Sequence, residues 1–195
     1  MEYEVKFKLE NKKEILDKLK RLNAQDLGKN KEIDIYLNLG EKVVRIRKIG
    51  KQGLITVKRI IRKKIRAKVR KETETRVENV DTLIEIFKGL GFSELKRKEK
   101  IRHTFRLDNI LVLIDKLPFI GYFIELEGAS EAVLKKASKK LDLDYNKASG
   151  VSYENIFFSY CIKNIKKFKG SRIKILPLFK NEREFLSQTF STKIC

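Results

Sequence analysis

The feature that most constrains this fold is an alternation of charged and apolar residues, with a period of two, that recurs along the chain. It begins at residues 2–7, where acids and a lysine occupy even positions while Tyr3, Val5 and Phe7 occupy odd ones. It runs longest over 65–77, where β-branched Val and Thr also favour a strand. A helix would scatter these charges around its surface. The recurrence therefore predicts a sheet that closes on itself, with one charged and one apolar face.

The strands and helices follow one another in an α+β order. Further strands are predicted over residues 32–39, 43–49, 54–59, 98–107, 110–116 and 122–127. Helices with an apolar stripe are predicted after the capping residue Asn11, over 81–90, after the capping residue Ser130, and over 152–164. If the helices cover the apolar faces, the charged faces line the lumen of a barrel. We expect a main domain over 1–165 and a basic C-terminal extension over 166–195.

The net charge of the chain indicates which class of partner it attracts. Lysine and arginine number 46 against 26 acids, which gives a net charge of +20 over 195 residues. Such a chain attracts polyanions, among them nucleotides, polyphosphate, nucleic acid and anionic membranes. The most apolar run, 110–126, is interrupted by Asp115, Lys116 and Pro118, so no membrane span is predicted. Neither the two cysteines nor His103 has metal-ligand spacing, and a cytoplasmic protein is expected.

Like charges stand two residues apart on the predicted charged faces. Arg45 with Arg47 favours an anion with several oxygens, because guanidinium groups bind phosphate bidentately. Glu2 with Glu4 favours a hard divalent cation such as Mg²⁺ or Mn²⁺. The same pairing recurs as Lys100 with Arg102 and as Glu125 with Glu127. The alternatives are that these acids and bases pair with one another, or that they line an ordinary solvated face.

The charged faces carry an ordered set of motifs: Glu2, Glu4 and Lys6; Asp34 and Tyr36; Arg45 and Arg47; Thr56 and Lys58; Arg70, Glu72 and Glu74; Lys100 and Arg102; Asp115; 121–127; and Ser152 and Tyr153. This set resembles the CYTH superfamily, the triphosphate tunnel metalloenzymes that include class IV adenylyl cyclases and thiamine triphosphatases. The resemblance runs in order from residue 2 to about residue 155.

This resemblance implies an eight-stranded antiparallel β-barrel, the triphosphate tunnel, with helices packed outside. It implies Mg²⁺ or Mn²⁺ held by acids among Glu2, Glu4, Glu72, Glu74, Asp115, Glu125 and Glu127. It implies a triphosphate held by Lys6, Arg45, Arg47, Lys58, Arg70, Lys100 and Arg102. Lys6 and Tyr36 are the candidates for positioning or activating a nucleophile.

The expected function is a metal-dependent triphosphatase that acts on inorganic triphosphate, ATP or another organic triphosphate. Two alternatives stay open: a class IV adenylyl cyclase that makes cyclic AMP and pyrophosphate, and a non-catalytic module that binds polyphosphate or RNA ends. The chain has no tryptophan, which animal thiamine triphosphatases use against the thiamine ring, so thiamine is not expected as the dedicated substrate. A homodimer is a further expectation.

Overall fold

The computed structural model describes residues 2–39, 42–50, 52–63, 68–164 and 177–183. Within these ranges, the side chains of Glu2, Lys42, 58–63 and 68–72 lie outside the description. The elements in chain order are β1 (Glu2–Lys8), α1 (Lys12–Arg21), β2 (Gln25–Leu39), β3 (Lys42–Ile49), β4 (Gln52–Lys63), β5 (Lys68–Val77), α2 (Val80–Gly89), β6 (Ser93–Leu107), β7 (Ile110–Leu117), β8 (Gly121–Gly128), α3 (Glu131–Lys140), a 3₁₀ turn (Tyr145–Lys147) and α4 (Tyr153–Asn164).

The eight strands form a closed antiparallel barrel in the order β1-β5-β4-β3-β2-β6-β7-β8. Each strand pairs with two neighbours, and the short seam between β1 and β5 includes Glu2 opposite Arg70 and Glu4 opposite Lys68. No edge strand is left unpaired in such a barrel. The eight-stranded barrel with helices outside, predicted from the sequence, is confirmed.

The barrel turns its apolar parity outward and its charged parity inward. Val5 on β1 packs outside with Ile124 and Leu126 on β8, and all three are fully buried. Helix α1 covers this face with Ile15 and Leu19, while α3 adds a further turn of apolar residues. Burial of this apolar surface is the main force that closes this half of the barrel.

Helix α2 covers the opposite half with a smaller cluster. Val80 and Ile84 are buried against Ile35, Leu37 and Ile46. Leu90, the last residue of the helix predicted over 81–90 with an apolar stripe, is 65% exposed. It is the C-cap residue, so it lies beyond the last full turn, where the helical periodicity no longer decides which way a side chain faces.

Strands β2 and β6 are both longer than the sequence pattern indicated, at 15 residues each. The additional residues of β2 begin at Gln25 and lack alternation, yet they pair with the end of β6 around a bulge between Asp26 and Lys29. Gly28 has φ +100° there, a conformation that glycine adopts without strain. Cross-strand hydrogen bonding, which a single-strand pattern does not report, extends both strands.

Helix α4 and a short part of the predicted extension pack at one end of the barrel. Tyr153, Phe157 and Cys161 face a cluster from β7, β8 and the turn between them. The carbonyl of Pro177 accepts a hydrogen bond from the Glu99 amide at 3.0 Å, and Glu182 accepts one from the Phe119 amide at 2.9 Å. Residues 177–183 therefore contact the barrel, while the rest of 166–195 lies outside the described residues.

No helix in the described ranges combines the length and the apolar character needed to cross a bilayer.

Candidate active site in the barrel tunnel

The inward faces of β1, β2, β3, β6 and β8, together with the first turn of α4, enclose a tunnel cavity of about 310 Å³. Predicted site residues that line it are Glu4, Lys6, Tyr36, Arg45, Arg47, Lys100, Arg102, Glu125 and Glu127. The alternation of each strand and the barrel closure bring these side chains together, although they lie far apart in the sequence.

Three carboxylates form what we call the acidic wall: Glu4 of β1 with Glu125 and Glu127 of β8. The strand register places Glu4 directly opposite Glu127, and Lys6 opposite Glu125. One oxygen from each carboxylate lies within 4.8 Å of the other two. Carboxylate oxygens at this spacing suit a hard divalent cation, so the acidic wall fits a metal of the Mg²⁺ type.

Lys6 lies between two members of the acidic wall. Its Nζ is 2.7 Å from a Glu4 oxygen and 2.7 Å from a Glu125 oxygen. Burial by itself lowers the pKa of Lys6, but the charges of Glu125 and Glu4 outweigh it, so the pKa is raised. Lys6 is therefore a fixed positive charge at neutral pH and cannot serve as a proton acceptor.

Arg102 connects the acidic wall to Asp115. Its guanidinium donates to both Asp115 oxygens at 2.7 Å and to Glu125 at 2.8 Å. Burial opposes the charged forms, yet the attraction of the pair raises the pKa of Arg102 and lowers the pKa of Asp115. Asp115, a predicted metal ligand, is thus placed as the partner of Arg102 and not with the three carboxylates of the acidic wall.

Across the tunnel lies what we call the basic wall: Arg45 and Arg47 of β3 with Lys96, Lys98 and Lys100 of β6. Each of these five side chains forms an ion pair with an acid.

Arg47 and its carboxylates anchor the basic wall. Arg47 donates to the two oxygens of Asp34 at 2.6 and 3.0 Å and lies 3.0 Å from Glu32. Burial alone would raise the pKa of Asp34, but Arg47 lowers it. Lys100 lies 3.2 Å from Glu32, and Lys98 is 3.9 Å from Asp34. Burial lowers the pKa of Lys98 and of Lys100, because neither lysine has an acid as close as Arg47 has.

Arg45 makes a separate contact with the neighbouring strands. It donates to Thr56 Oγ1 at 2.9 Å, and Thr56 Oγ1 donates to Glu74 at 2.6 Å. Glu74, another predicted metal ligand, is the counter-charge of Arg45 at 3.3 Å and is not one of the three clustered carboxylates.

Tyr36 lies under the basic wall. Lys96 and Lys98 stand 4.8 and 4.9 Å from the centre of its ring, which is a cation–π arrangement. Burial, followed by the charge of Asp34, raises the pKa of Tyr36. Its hydroxyl therefore keeps its proton and can donate a hydrogen bond to an anion in the tunnel.

Four predicted site residues, Glu2, Lys58, Arg70 and Glu72, have side chains outside the described residues. The backbone register sets Glu2 opposite Arg70 and Lys58 opposite Glu72.

Sequence reasoning missed Glu32, Lys96 and Lys98 as tunnel residues. Glu32 shares the parity of Asp34, and Lys98 shares that of Lys100, so the signal was present on the same strands. Lys96 shares this parity too, but it precedes residue 98, where the predicted strand begins; in the structure it lies opposite Tyr36.

Neither His103 nor Cys161 lines the tunnel. His103, which shares the parity of Ile101 and Phe105, lies outside the barrel, with Nε2 2.8 Å from an Asp26 oxygen. Cys161 lies on the buried side of α4, and burial raises the pKa of its thiol to about 11, so the thiol is unreactive at neutral pH. Cys195 lies outside the described residues.

Known proteins resemble this chain in both sequence and fold. The model of the CYTH domain matches residues 1–155. A protein of Methanocaldococcus jannaschii, named as a presumed adenylate cyclase, is 31% identical over 165 residues. The match covers 80% of this chain and 93% of the relative. A solved structure from Pyrococcus horikoshii superposes with a TM-score of 0.69 at 28% identity, over 78% of this chain and 97% of that one.

A third likeness is more distant and shows the fold alone. A Hippeastrum structure superposes with a TM-score of 0.56 at 17% identity, over 82% of this chain and 96% of that one. That protein is a presumed adenylyl cyclase with a dominant triphosphatase activity.

The match over residues 1–155 shows that the chain belongs to the CYTH domain family. Members of this family are metal-dependent enzymes that process triphosphates.

Proposed function

We propose that this protein is a metal-dependent triphosphatase that hydrolyses inorganic or organic triphosphates inside the barrel tunnel. The observation that carries the proposal is the juxtaposition of the acidic wall and the basic wall in one enclosed cavity. A triphosphate needs cations along its length, and hydrolysis needs a metal beside the phosphorus that reacts.

Glu4, Glu125 and Glu127 are the residues that would hold Mg²⁺ or Mn²⁺. When bound, the metal supplies a Lewis acid and an activated water for attack on the terminal phosphorus. Glu2 and Glu72 stay predicted ligands. Asp115 and Glu74, predicted as ligands too, have structural partners in Arg102 and Arg45, and we propose that they support those arginines instead.

The basic wall and Arg102 are the proposed triphosphate site. Lys98 and Lys100 suit an incoming anion, since their burial is not fully offset by acids, as their lowered pKa values indicate. A bound phosphate would raise both pKa values and fix both charges. Arg47 and Arg102 are held rigid by bidentate carboxylates, so no side-chain ordering is needed when the substrate arrives.

Lys6 and Tyr36 act by position and charge. Because the pKa of each is raised, both are protonated at neutral pH and neither takes a proton from water. Lys6 holds Glu4 and Glu125 in place and stabilises the charge that spreads over the phosphate oxygens. Tyr36 donates a hydrogen bond to the phosphate chain.

A class IV adenylyl cyclase is the second candidate, favoured by the name of the Methanocaldococcus jannaschii relative. It would use the same tunnel, with the ribose 3′-hydroxyl attacking the α-phosphorus. A purely binding module is disfavoured, because three clustered carboxylates repel an anion unless a metal intervenes. A cytoplasmic location and a homodimer stay predictions from the sequence.

Product analysis tests the proposal. The protein is incubated with Mg²⁺ or Mn²⁺ and either inorganic triphosphate or ATP, alongside Glu4→Gln and the surface control Glu85→Gln, whose carboxylate pairs with Lys88 on α2. Orthophosphate that the control forms and Glu4→Gln does not would support the triphosphatase. Cyclic AMP with pyrophosphate would establish the cyclase instead, and binding without any product would leave only the binding module.

A further inference from the structure

The lysines and arginines that the structure describes in the tunnel are balanced by acids. Every described lysine and arginine that lines the tunnel cavity has a carboxylate oxygen within 3.9 Å. These pairs contribute almost nothing to the net charge of +20. A second polyanion would therefore be attracted by described cations that lie outside the tunnel.

A second cavity, of about 130 Å³, lies on the outer face of β6, β7 and β8 beside the start of α1. Lys12, Lys29 and Lys116 line it together with the ring of Tyr122. The register explains the convergence: Lys116 lies opposite Tyr122 between β7 and β8, and Lys29 lies opposite His103 between β2 and β6. Lys12 joins them as the first residue of α1.

These three lysines differ from those of the tunnel. None of them forms an ion pair with any carboxylate in the part of the chain that the structure describes, whereas the neighbouring Lys31 pairs with Glu99 and His103 with Asp26. Three unpaired ammonium groups around one concavity repel one another. A bound group with phosphate oxygens would relieve that repulsion.

The aromatic side chain indicates what kind of polyanion fits. Lys12 stands 5.4 Å from the centre of the Tyr122 ring, which is partly exposed at the cavity. Single-stranded nucleic acids are bound by cations that track the backbone and by aromatic rings on which bases stack. We propose that this outer cavity binds single-stranded nucleic acid, with phosphates on the three lysines and a base against Tyr122.

An anionic membrane fits this surface less well. Proteins that lie on bilayers insert exposed apolar side chains beside their basic residues. The large apolar side chains that are exposed among the described residues include Val57, Leu90 and Phe158, and none of them lines this cavity. The surface is concave as well, which suits a strand with a base and not a flat headgroup layer.

Fluorescence anisotropy with a short labelled oligonucleotide that carries a 5′-hydroxyl tests the proposal, because such a probe has no triphosphate for the tunnel. The outer variant combines Lys12→Ala, Lys29→Ala and Lys116→Ala. The matched control combines Lys20→Ala, Lys139→Ala and Lys163→Ala, which removes the same charge from exposed helical positions. Thermal unfolding midpoints verify that both variants fold.

We expect the outer variant to bind at least about tenfold more weakly at ~0.1 M salt, and its salt slope to fall by about 2, as for three lost contacts to single-stranded phosphates. The control should lose less than about threefold. Tyr122→Leu should weaken binding about tenfold with an unchanged salt slope, since stacking involves no counterion release.

Equal losses in the two triple variants would overturn the proposal, because they would show attraction by net charge alone. Displacement of the oligonucleotide by inorganic triphosphate at the concentration that saturates hydrolysis would overturn it too, since the tunnel would then be the site. If the parent binds phosphatidylserine vesicles but not the oligonucleotide, and the outer variant loses the vesicle binding, the proposal is overturned. The ligand of the cavity would then be a membrane and not a nucleic acid.

Discussion

The two walls of the tunnel use charge in opposite ways. In the acidic wall, three carboxylates are brought within 4.8 Å of one another, and one lysine is shared between two of them. In the basic wall, each cation is paired with a carboxylate, and Asp34 is shared by Arg47 and Lys98. The first wall keeps acids close enough to share a metal, and the second keeps cations apart and fixed.

This difference indicates why so many charges can be buried together. A buried charge is tolerated only when a partner repays its desolvation. In the proposed function, a cation from solution would bind to the acidic wall and the anion of the substrate to the basic wall. The ion pairs within each wall offset the desolvation of these charges before either ion binds.

The largest expected effect comes from breaking the acidic wall. Glu125→Gln removes a metal ligand and also leaves Lys6 and Arg102 without a shared counter-charge. We expect phosphate release to fall by at least about 1,000-fold, since both the metal and transition-state stabilisation are lost. Steady-state assays with inorganic triphosphate check this, with Glu85→Gln as the control. Activity within tenfold of the parent would show that the acidic wall does not hold the catalytic metal.

The next largest effect is expected at Asp115, which supports Arg102. Asp115 is 0% exposed and paired bidentately with Arg102, so Asp115→Asn removes the bidentate partner of a buried guanidinium and leaves it Glu125 alone. We expect the free energy of unfolding to fall by about 3–5 kcal/mol. Urea denaturation measures it, with Asp108→Asn, whose exposed carboxylate pairs with Lys140, as the control that stays near the parent. Similar stability in both variants would contradict the structural role of Asp115.

The pH dependence of stability tests the same kind of buried ion pair. The folded-state pKa values of Asp34, Asp115 and Glu125 are lowered, so below their ordinary values the unfolded chain binds more protons than the folded chain. Their contribution is therefore complete above about pH 5 and is lost as the pH falls through about 4 and below. Urea denaturation of the parent should show this loss, and Asp34→Asn should show a shallower one. A stability that rises on acidification would contradict the pairing.

A smaller effect is expected in the basic wall. Arg47→Lys keeps the charge but loses the planar fork that binds both oxygens of Asp34. We expect the KM for inorganic triphosphate to rise about tenfold, with kcat changed less, because substrate contacts are lost while the acidic wall stays intact. Lys48→Arg, on the outer parity of the same strand, is a conservative control. An unchanged KM would show that Arg47 does not contribute to substrate binding.

The smallest effect is expected at Tyr36. Tyr36→Phe removes one neutral hydrogen-bond donor and leaves the ring under Lys96 and Lys98. The expected loss in kcat/KM is about fivefold, the size of one hydrogen bond of ~1 kcal/mol. Tyr3→Phe on the outer parity of β1 should change nothing. A loss of 1,000-fold would instead make Tyr36 part of the proton-transfer chemistry.

The barrel was predictable from the sequence because alternation reports which face each side chain takes. Glu4 and Glu125 could be assigned inward on parity alone. Parity does not report which strands become neighbours, so it does not show which inward acids already have a basic partner. Asp115 lies opposite Arg102, and Glu74 lies opposite Thr56 beside Arg45, so pairing across strands gives them structural partners.

We propose that the metal binds to the acidic wall and not to the whole set of predicted acids. A Mn²⁺ titration followed by electron paramagnetic resonance tests it most directly on the parent, Glu127→Gln and Glu74→Gln. Glu127 belongs to the acidic wall, whereas Glu74 pairs with Arg45 across the tunnel. We predict a loss of Mn²⁺ affinity of at least about tenfold for Glu127→Gln and less than about twofold for Glu74→Gln. Equal losses, or a larger loss for Glu74→Gln, would contradict the division between the two walls.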